Sequence, residues 1–332
     1  CDRGRSWLLN ATIPADDEPV AWLDGTAVTP ETALDHAATQ MREARAPLIL
    51  GWSRLTIPAQ RAAVALAERL RARVDLGFTD RLLAFHAAGQ VSATLGDVRD
   101  RAGVVVFWEA DPLRTHPRHG QRYSIEPIGR FLPGGRADRT LLVATTCRQP
   151  TATASVADRV LTFEDGRRFA LIWVLRALAS GRPLSAAATL QATGLELPAI
   201  TDWFDPIRQA PYSAIFHDLD PLAISQPHAV HEALLLLARD LASGANRCVI
   251  AGLGGPGNAS GAEAVLAWQS GVTGAVDFAS GAPRYLPWEC DAELSLLEGR
   301  VDLLILLDDE ALERLSPAAQ AAALARPRLM IT

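Results

Sequence analysis

The sequence predicts a doubly wound α/β protein built from two halves. Three observations carry that expectation. Short continuous apolar runs have strand length, amphipathic helical stretches alternate with them, and the alternation stops and then resumes around a segment that lacks it. A strand that is apolar at every position suits a parallel sheet covered on both faces, because neither face meets water.

Taken in order, the first elements are small. Val20 to Leu23, the dipeptide Asp24-Gly25 and Ala27-Val28 read as a short hairpin with a favoured turn. Thr29-Pro30 then caps a helix whose apolar face is Ala33, Leu34, Ala37, Ala38 and Met41. Residues 1–45 thus form an N-terminal hairpin and helix segment. A first α/β domain is expected over 46–180. It holds strands at 48–50, 103–108, 140–144 and 160–163, a helix over 59–70 with Ala63, Leu66, Ala67 and Leu70 inward, and a helix over 167–179 burying Leu171, Val174, Leu175 and Leu178. Residues 181–227, rich in Ala, Pro and turn formers, read as a linker or insertion. A second α/β domain is expected over 228–332, with helices at 228–241, 262–269 and 310–325 and strands at 248–251, 301–307 and 329–331.

Composition excludes several function classes. Of 332 residues, 49% are hydrophobic and 21% charged, an ordinary globular balance. The net charge of −6 gives a nucleic-acid partner no electrostatic support. All 32 basic residues are arginine, which fits GC-rich coding better than a functional demand. The four cysteines, Cys1, Cys147, Cys248 and Cys290, form no close pair, so a reducing compartment and a cytoplasmic location are expected. No apolar run reaches the roughly 18 residues of a membrane span, and no membrane partner is expected.

Local motifs leave two readings each. Gly252-Leu253-Gly254-Gly255-Pro256-Gly257 fits a phosphate-cradling glycine pattern after a strand, but Pro256 removes a donor and no acidic residue follows at the right distance, which favours a structural turn. His116 and His119 have a spacing open to a metal, yet no further ligands cluster nearby, so local hydrogen bonding is the stronger reading. Asp308-Asp309-Glu310 suits either Mg²⁺ or, more simply, a solvated helix N-terminus. Cys147 beside Arg148 would be an activated thiol only with a base, and the sequence assigns none. No GxSxG or Walker sequence occurs.

Longer strings are more specific. Asn258-Ala259-Ser260-Gly261, Trp268-Gln269-Ser270-Gly271, Ala275-Val276-Asp277-Phe278 and Gly281-Ala282-Pro283-Arg284-Tyr285, then Pro287 and Glu289, follow one another in the C-terminal third. Upstream, Trp108-Glu109-Ala110-Asp111-Pro112 runs into His116-Pro117-Arg118-His119 and Arg122-Tyr123. Thr151-Ala152-Thr153-Ala154 with Ala157-Asp158, and Cys1-Asp2-Arg3-Gly4, complete the set. Together these strings resemble the B-subunit family of formylmethanofuran dehydrogenase, within the molybdopterin oxidoreductase superfamily, and most nearly the B-type chain of the bacterial formyltransferase/hydrolase complex. The resemblance implies two Rossmann-like halves like the central domains of those oxidoreductases. It implies a family activity, formylmethanofuran dehydrogenase, that uses a tungsto- or molybdopterin and an iron–sulfur cluster.

The chain departs from the family pattern where that chemistry would sit. The metal-ligand cysteine belongs within residues 75–83, which contain Arg81 but no cysteine. Cys1 alone does not hold a four-iron cluster. Glu109 stands where the family has a glycine, Asp111 where it has an asparagine, and Thr146-Cys147-Arg148 where it has Asp-Pro-Arg. With Asp308, Asp309 and Glu310 at the second cradle, carboxylates are expected to repel a diphosphate by about 1–4 kcal/mol per close pair. No cofactor is therefore expected, and no catalytic or metal-ligating residue. Vestigial groove candidates are Trp108, Glu109, Asp111, His116, His119, Arg148, Asn258, Arg284 and Asp308. The expected function is that of a non-redox structural subunit in one-carbon metabolism through methanopterin- and methanofuran-type carriers, in methylotrophy. Its expected partners are an amidohydrolase-like subunit, a formyltransferase subunit and a C-type subunit. The alternatives are an active tungsten- or molybdenum-pterin enzyme and a free-standing small-molecule-binding module.

Overall fold

The structure is a computed structural model and describes residues 5, 6, 9, 20–77, 79–219, 227–243, 246–253, 257–308 and 311–331. In chain order come β1 (Trp22–Leu23), β2 (Thr26–Ala27), α1 (Pro30–Glu43), β3 (Pro47–Leu50), α2 (Ile57–Leu70), β4 (Arg73–Asp75), α3 (Thr79–Ala88) and α4 (Leu95–Arg101). Then follow β5 (Val104–Trp108), β6 (Thr140–Thr145), β7 (Arg159–Thr162), α5 (Arg168–Ala179), α6 (Ala186–Thr193), α7 (Leu197–Gln209), β8 (Tyr212–His217), α8 (Pro227–Leu241) and β9 (Arg247–Gly252). The chain closes with α9 (Ala259–Ser270), β10 (Ala275–Asp277), β11 (Arg284–Tyr285), α10 (Ala292–Leu297), β12 (Leu303–Leu306), α11 (Pro317–Leu324) and β13 (Arg328–Met330).

Two larger sheets result. One has strand order β7-β6-β5-β8-β9 and every pairing is parallel. The other has order β11-β10-β4-β3-β12-β13, parallel from β4 to β13 and antiparallel at β10 and β11. Val104–Trp108 and Leu303–Leu306 are buried at every position, as parallel strands under helices on both faces require.

This pairing corrects the expected domain boundaries. β3 lies beside β12, with Leu48 opposite Leu304, and β4 lies beside β10. The six-stranded unit is thus assembled from two distant chain segments, and the five-stranded unit lies between them in sequence. Residues 181–227 are not a linker. They supply α6, α7 and β8, and β8 sits between β5 and β9 inside the sheet. Its burial runs from Ser213 to His217 without alternation, so period-two patterning has nothing to show. Pro206 inside α7 further weakens the local signal.

Smaller expectations also shift. Asp24 and Gly25 both take positive φ (48° and 80°) in the hairpin turn, as that dipeptide favours. The α1 face is not buried; Leu34 is 69% exposed, and Met41 only partly packs on the core. The helix expected over 310–325 is α11, which begins at Pro317, where Ser316 caps the Ala319 N–H. Asp309 and Glu310 lie outside the described residues, as do Cys1 to Gly4 and residues 254–256 of the glycine turn. Helix α3 forms the seam between the units: Leu82 packs in the core of the six-stranded unit and Ala84 in that of the five-stranded unit. Among the described residues no helix is long and apolar enough to cross a membrane.

Candidate functional site

Doubly wound sheets bind ligands beyond the carboxyl ends of their strands, where the winding direction reverses. In the five-stranded sheet the chain winds from β5 through β6 to β7 on one side and from β8 to β9 on the other. The reversal lies between β5 and β8. In the six-stranded sheet it lies between β3 and β12. Most of the sequence-derived candidates fall at these two edges, but not in the roles expected of them.

At the first edge, Trp108 ends β5 inside the core, 1% exposed and stacked obliquely on Phe163 with ring centroids 5.6 Å apart. Glu109 follows with φ +48°, a left-handed value that normally selects glycine. Its carboxylate does not face open solvent. It accepts two hydrogen bonds from Arg168 at the start of α5 and one from the Thr146 hydroxyl at 2.9 Å. Both charged side chains are almost wholly buried, at 3% and 4% exposure. Burial works against the Arg168 cation, yet hydrogen bonds and charges from Glu109 and Asp165 outweigh it and hold the guanidinium above its ordinary value.

Asp111 also turns inward. Its carboxylate accepts from the Thr153 N–H at 2.9 Å and the Thr153 hydroxyl at 2.6 Å, clamping the loop after β6. Two sequence motifs separated by about 40 positions are thereby one structural joint. Asp158, from the same run, accepts from the Leu141 N–H at 2.7 Å. The expected picture of bare carboxylates crowding a diphosphate is therefore corrected at both Glu109 and Asp111: each is satisfied internally.

His116 bonds Thr115 through Nδ1 at 2.9 Å and stays exposed, while His119 is buried edge-on against Phe216 with centroids 4.5 Å apart. Desolvation, with a smaller push from His116, lowers the His119 pKa to about 4. The two rings do not converge on a shared point, and the local reading of this motif holds. Cys147 and Arg148 are exposed after β6.

The second edge is built differently. Asn258 ties α9 to the loop after β3: its N–H donates to the Ser53 carbonyl at 2.5 Å and its side chain to the Leu55 carbonyl at 3.0 Å. A Cβ on Gly257 would stand 2.4 Å from the Ser53 carbonyl oxygen, so the glycine serves this close approach. Asp308 is 4% exposed rather than solvated, with the Ser53 hydroxyl 3.5 Å from one oxygen. Arg314 donates to that same hydroxyl at 2.8 Å. Arg284 is exposed on β11, away from this network.

A cavity of about 240 Å³ opens here, lined by Gly51, Asp75, Gly77, Glu293 and Arg314 among others. Asp75 accepts from the Gly77 and Ala292 N–H groups at 2.7 and 2.8 Å. Burial nonetheless pushes its carboxyl up to about 6.

Sequence reasoning missed the residues at the seam. Arg81 on α3 pairs with Glu263 on α9. His217, at the end of β8, meets His231 of α8 edge-on at 5.6 Å. Burial, then His231 and Arg81, lower the His217 pKa to about 3. The signal for His217 is its place at a strand end, invisible while β8 reads as linker. The described thiols lie elsewhere: burial raises Cys248 and Cys290 to about 11. Among the described residues no group of three or more His, Cys, Asp or Glu is placed to hold a metal ion.

No protein-family model matches the chain. Over 285 residues it is 32% identical to the B subunit of tungsten-containing formylmethanofuran dehydrogenase 2 from Methanococcus maripaludis, covering 85% of the chain and 64% of that protein. The protein of the same name from Methanocaldococcus jannaschii is 32% identical over 279 residues, covering 83% and 63%. The chain is a relative of the formylmethanofuran dehydrogenase B subunit. It spans just under two thirds of the length of these B-subunit relatives. Its fold matches a chain in the crystal structure of the formyltransferase/hydrolase complex from Methylorubrum extorquens with methylofuran. That match has a TM-score of 0.72 and 25% identity, covering 93% of this chain and 80% of the other.

Proposed function

We propose that this relative of the formylmethanofuran dehydrogenase B subunit is a non-redox structural component of a formyltransferase/hydrolase complex. It would act in one-carbon metabolism, from formaldehyde to formate, through methanopterin- and methanofuran-type carriers. The chain keeps the two-sheet frame and docks subunits that carry the chemistry: a formyltransferase, an amidohydrolase-like hydrolase and a C-type subunit. The observation that carries the reading is the buried Glu109–Arg168 pair at the carboxyl end of β5. A diphosphate cradle there needs open N–H donors and space for backbone approach. Instead, a carboxylate and its guanidinium occupy the position.

The metal side agrees. A tungsten or molybdenum ion held by a protein ligand takes a soft thiolate. The helix after β4 offers Arg81, paired with Glu263, and residues 75–83 contain no thiol. The residues present do not fit a metal-bound bis-pterin, and no chemical step is assigned to one. The B-subunit relatives belong to tungsten-containing enzymes, which favours the opposite reading, an active pterin enzyme. Metal analysis of the native protein separates the two. Tungsten and molybdenum far below one atom per chain are expected, and near-stoichiometric metal overturns the proposal.

A further inference from the structure

Between Ile125 and Arg139 the chain makes an excursion that carries none of the residues discussed so far. At its tip Gly129 and Leu132 form an isolated antiparallel bridge, and Arg130-Phe131 turn the corner. Phe131 is 55% exposed and Ile128 73% exposed. Exposed apolar side chains on loops are common and by themselves mean little. This loop differs in how firmly it is built.

The bracing comes from beneath. Arg139 is 4% exposed, and its guanidinium donates to the carbonyls of Pro127 at 2.6 Å, Gly135 at 2.8 Å and Arg99 at 2.5 Å. The Phe131 N–H donates to the Asp100 carbonyl at 3.0 Å, and the Arg130 N–H to the Asp100 carboxylate at 3.4 Å. Gly129 packs so closely on α4 that a Cβ there would fall 2.2 Å from the Arg99 carbonyl oxygen. Gly135 takes φ +59° against the Glu126 carbonyl. A buried cation spent on loop carbonyls fixes the shape of an exposed tip, so ordering the backbone is not left to a binding event.

Charge is sorted across the tip. Arg101 and Arg130 lie over the Phe131 ring, their guanidinium carbons 4.6 and 5.6 Å from its centroid. The acids around it are mostly turned inward. Asp97 closes the capping box of α4, Asp100 takes the Arg99 guanidinium and the Arg130 N–H, and Asp138 takes the Gly134 N–H at 2.6 Å. Glu126 is the exposed acid of the loop. The face presented outward is an aromatic ring and an isoleucine between two arginines.

We propose that this loop is a preformed docking knob for another subunit of the complex, inserting Phe131 and Ile128 into an apolar recess edged by carboxylates. Aromatic and arginine side chains dominate interface hot spots, and a rigid loop concentrates their effect. The overall charge of −6 disfavours a nucleic-acid occupant of the same tip. The proposal rests on the complex reading above.

The test uses the full chain and the purified formyltransferase and hydrolase polypeptides of the same organism, with affinity read by interferometry and assembly by native mass measurement. The unmodified chain assembles. Phe131→Ala and the double variant Arg101→Glu/Arg130→Glu weaken assembly by about 30-fold or more, with circular dichroism and melting temperature unchanged. Added salt slows association of the unmodified chain more than that of the arginine variant. If the unmodified chain assembles and these variants bind as tightly, the knob is overturned while the complex reading stands. If the unmodified chain fails to assemble at all, the complex reading falls and the knob loses its partner with it.

Discussion

Glu109 places a charged side chain where the backbone, at φ +48°, suits glycine. The strain is held because its carboxylate neutralises Arg168 in a site closed to water. Glu109→Gly relieves the backbone but leaves a buried guanidinium with only the exposed Asp165 as acidic partner. A net loss of about 3 kcal/mol in urea unfolding is expected, without uptake of a pterin. Gain of pterin by that single variant would show that the loop alone had closed the cradle. His119 gives a pH signature. Its folded pKa of about 4 lies below the ordinary 6.5, so the unfolded chain takes the proton that the folded one refuses. Stability present above pH 6.5 is lost as pH falls toward 4, by roughly 3 kcal/mol. His119→Phe should flatten this acid limb. Asp75 works in the other direction: raised to about 6, its contribution is present below pH 3.8 and lost as pH rises through 6. In Asp75→Asn the decline between pH 4 and 6 should shrink. Unfolding midpoints across that range check both signs.

At the scale of elements, turn geometry and strand burial set the edges. Gly51 leaves β3 at φ +87°, and a Cβ there would lie 2.6 Å from the Asp308 N–H nitrogen. Backbone cannot yield as a side-chain tip does, so Gly51→Ala should cost about 2 kcal/mol or more, read from thermal unfolding. Helices α2, α5 and α8 were legible because their apolar faces repeat at helical spacing. Strands β3, β5, β6 and β12 were legible as unbroken apolar runs. β8 was not, because Tyr212 to His217 mixes serine and histidine into a fully buried strand preceded by a proline. The α1 face illustrates the reverse error: its helical spacing is real, but nothing among the described residues covers Leu34.

At the scale of the molecule, the two units are interwoven by chain order. A fragment 46–180 would carry β3 and β4 without β10 to β13, and β5 to β7 without β8 and β9. Each sheet would expose an apolar edge strand, so that fragment should fail to fold cooperatively, as judged by amide dispersion in NMR spectra. A dispersed, cooperative fragment would mean that the strand pairing described above is not required. The seam helix α3 contributes to both cores, which couples movements of one unit to the other.

The sequence by itself determined the fold class, most helices and strands, and the kinship with the formylmethanofuran dehydrogenase B subunit, because periodicity, caps and ordered motifs are written locally along the chain. Only the tertiary structure decided which strands pair and which way the acids face. β3 meets β12 across roughly 250 positions, and Glu109 meets Arg168 across 59. Local patterning carries no trace of such distant partners, yet burial beside them determines whether a carboxylate is a repelling charge or half of a closed ion pair.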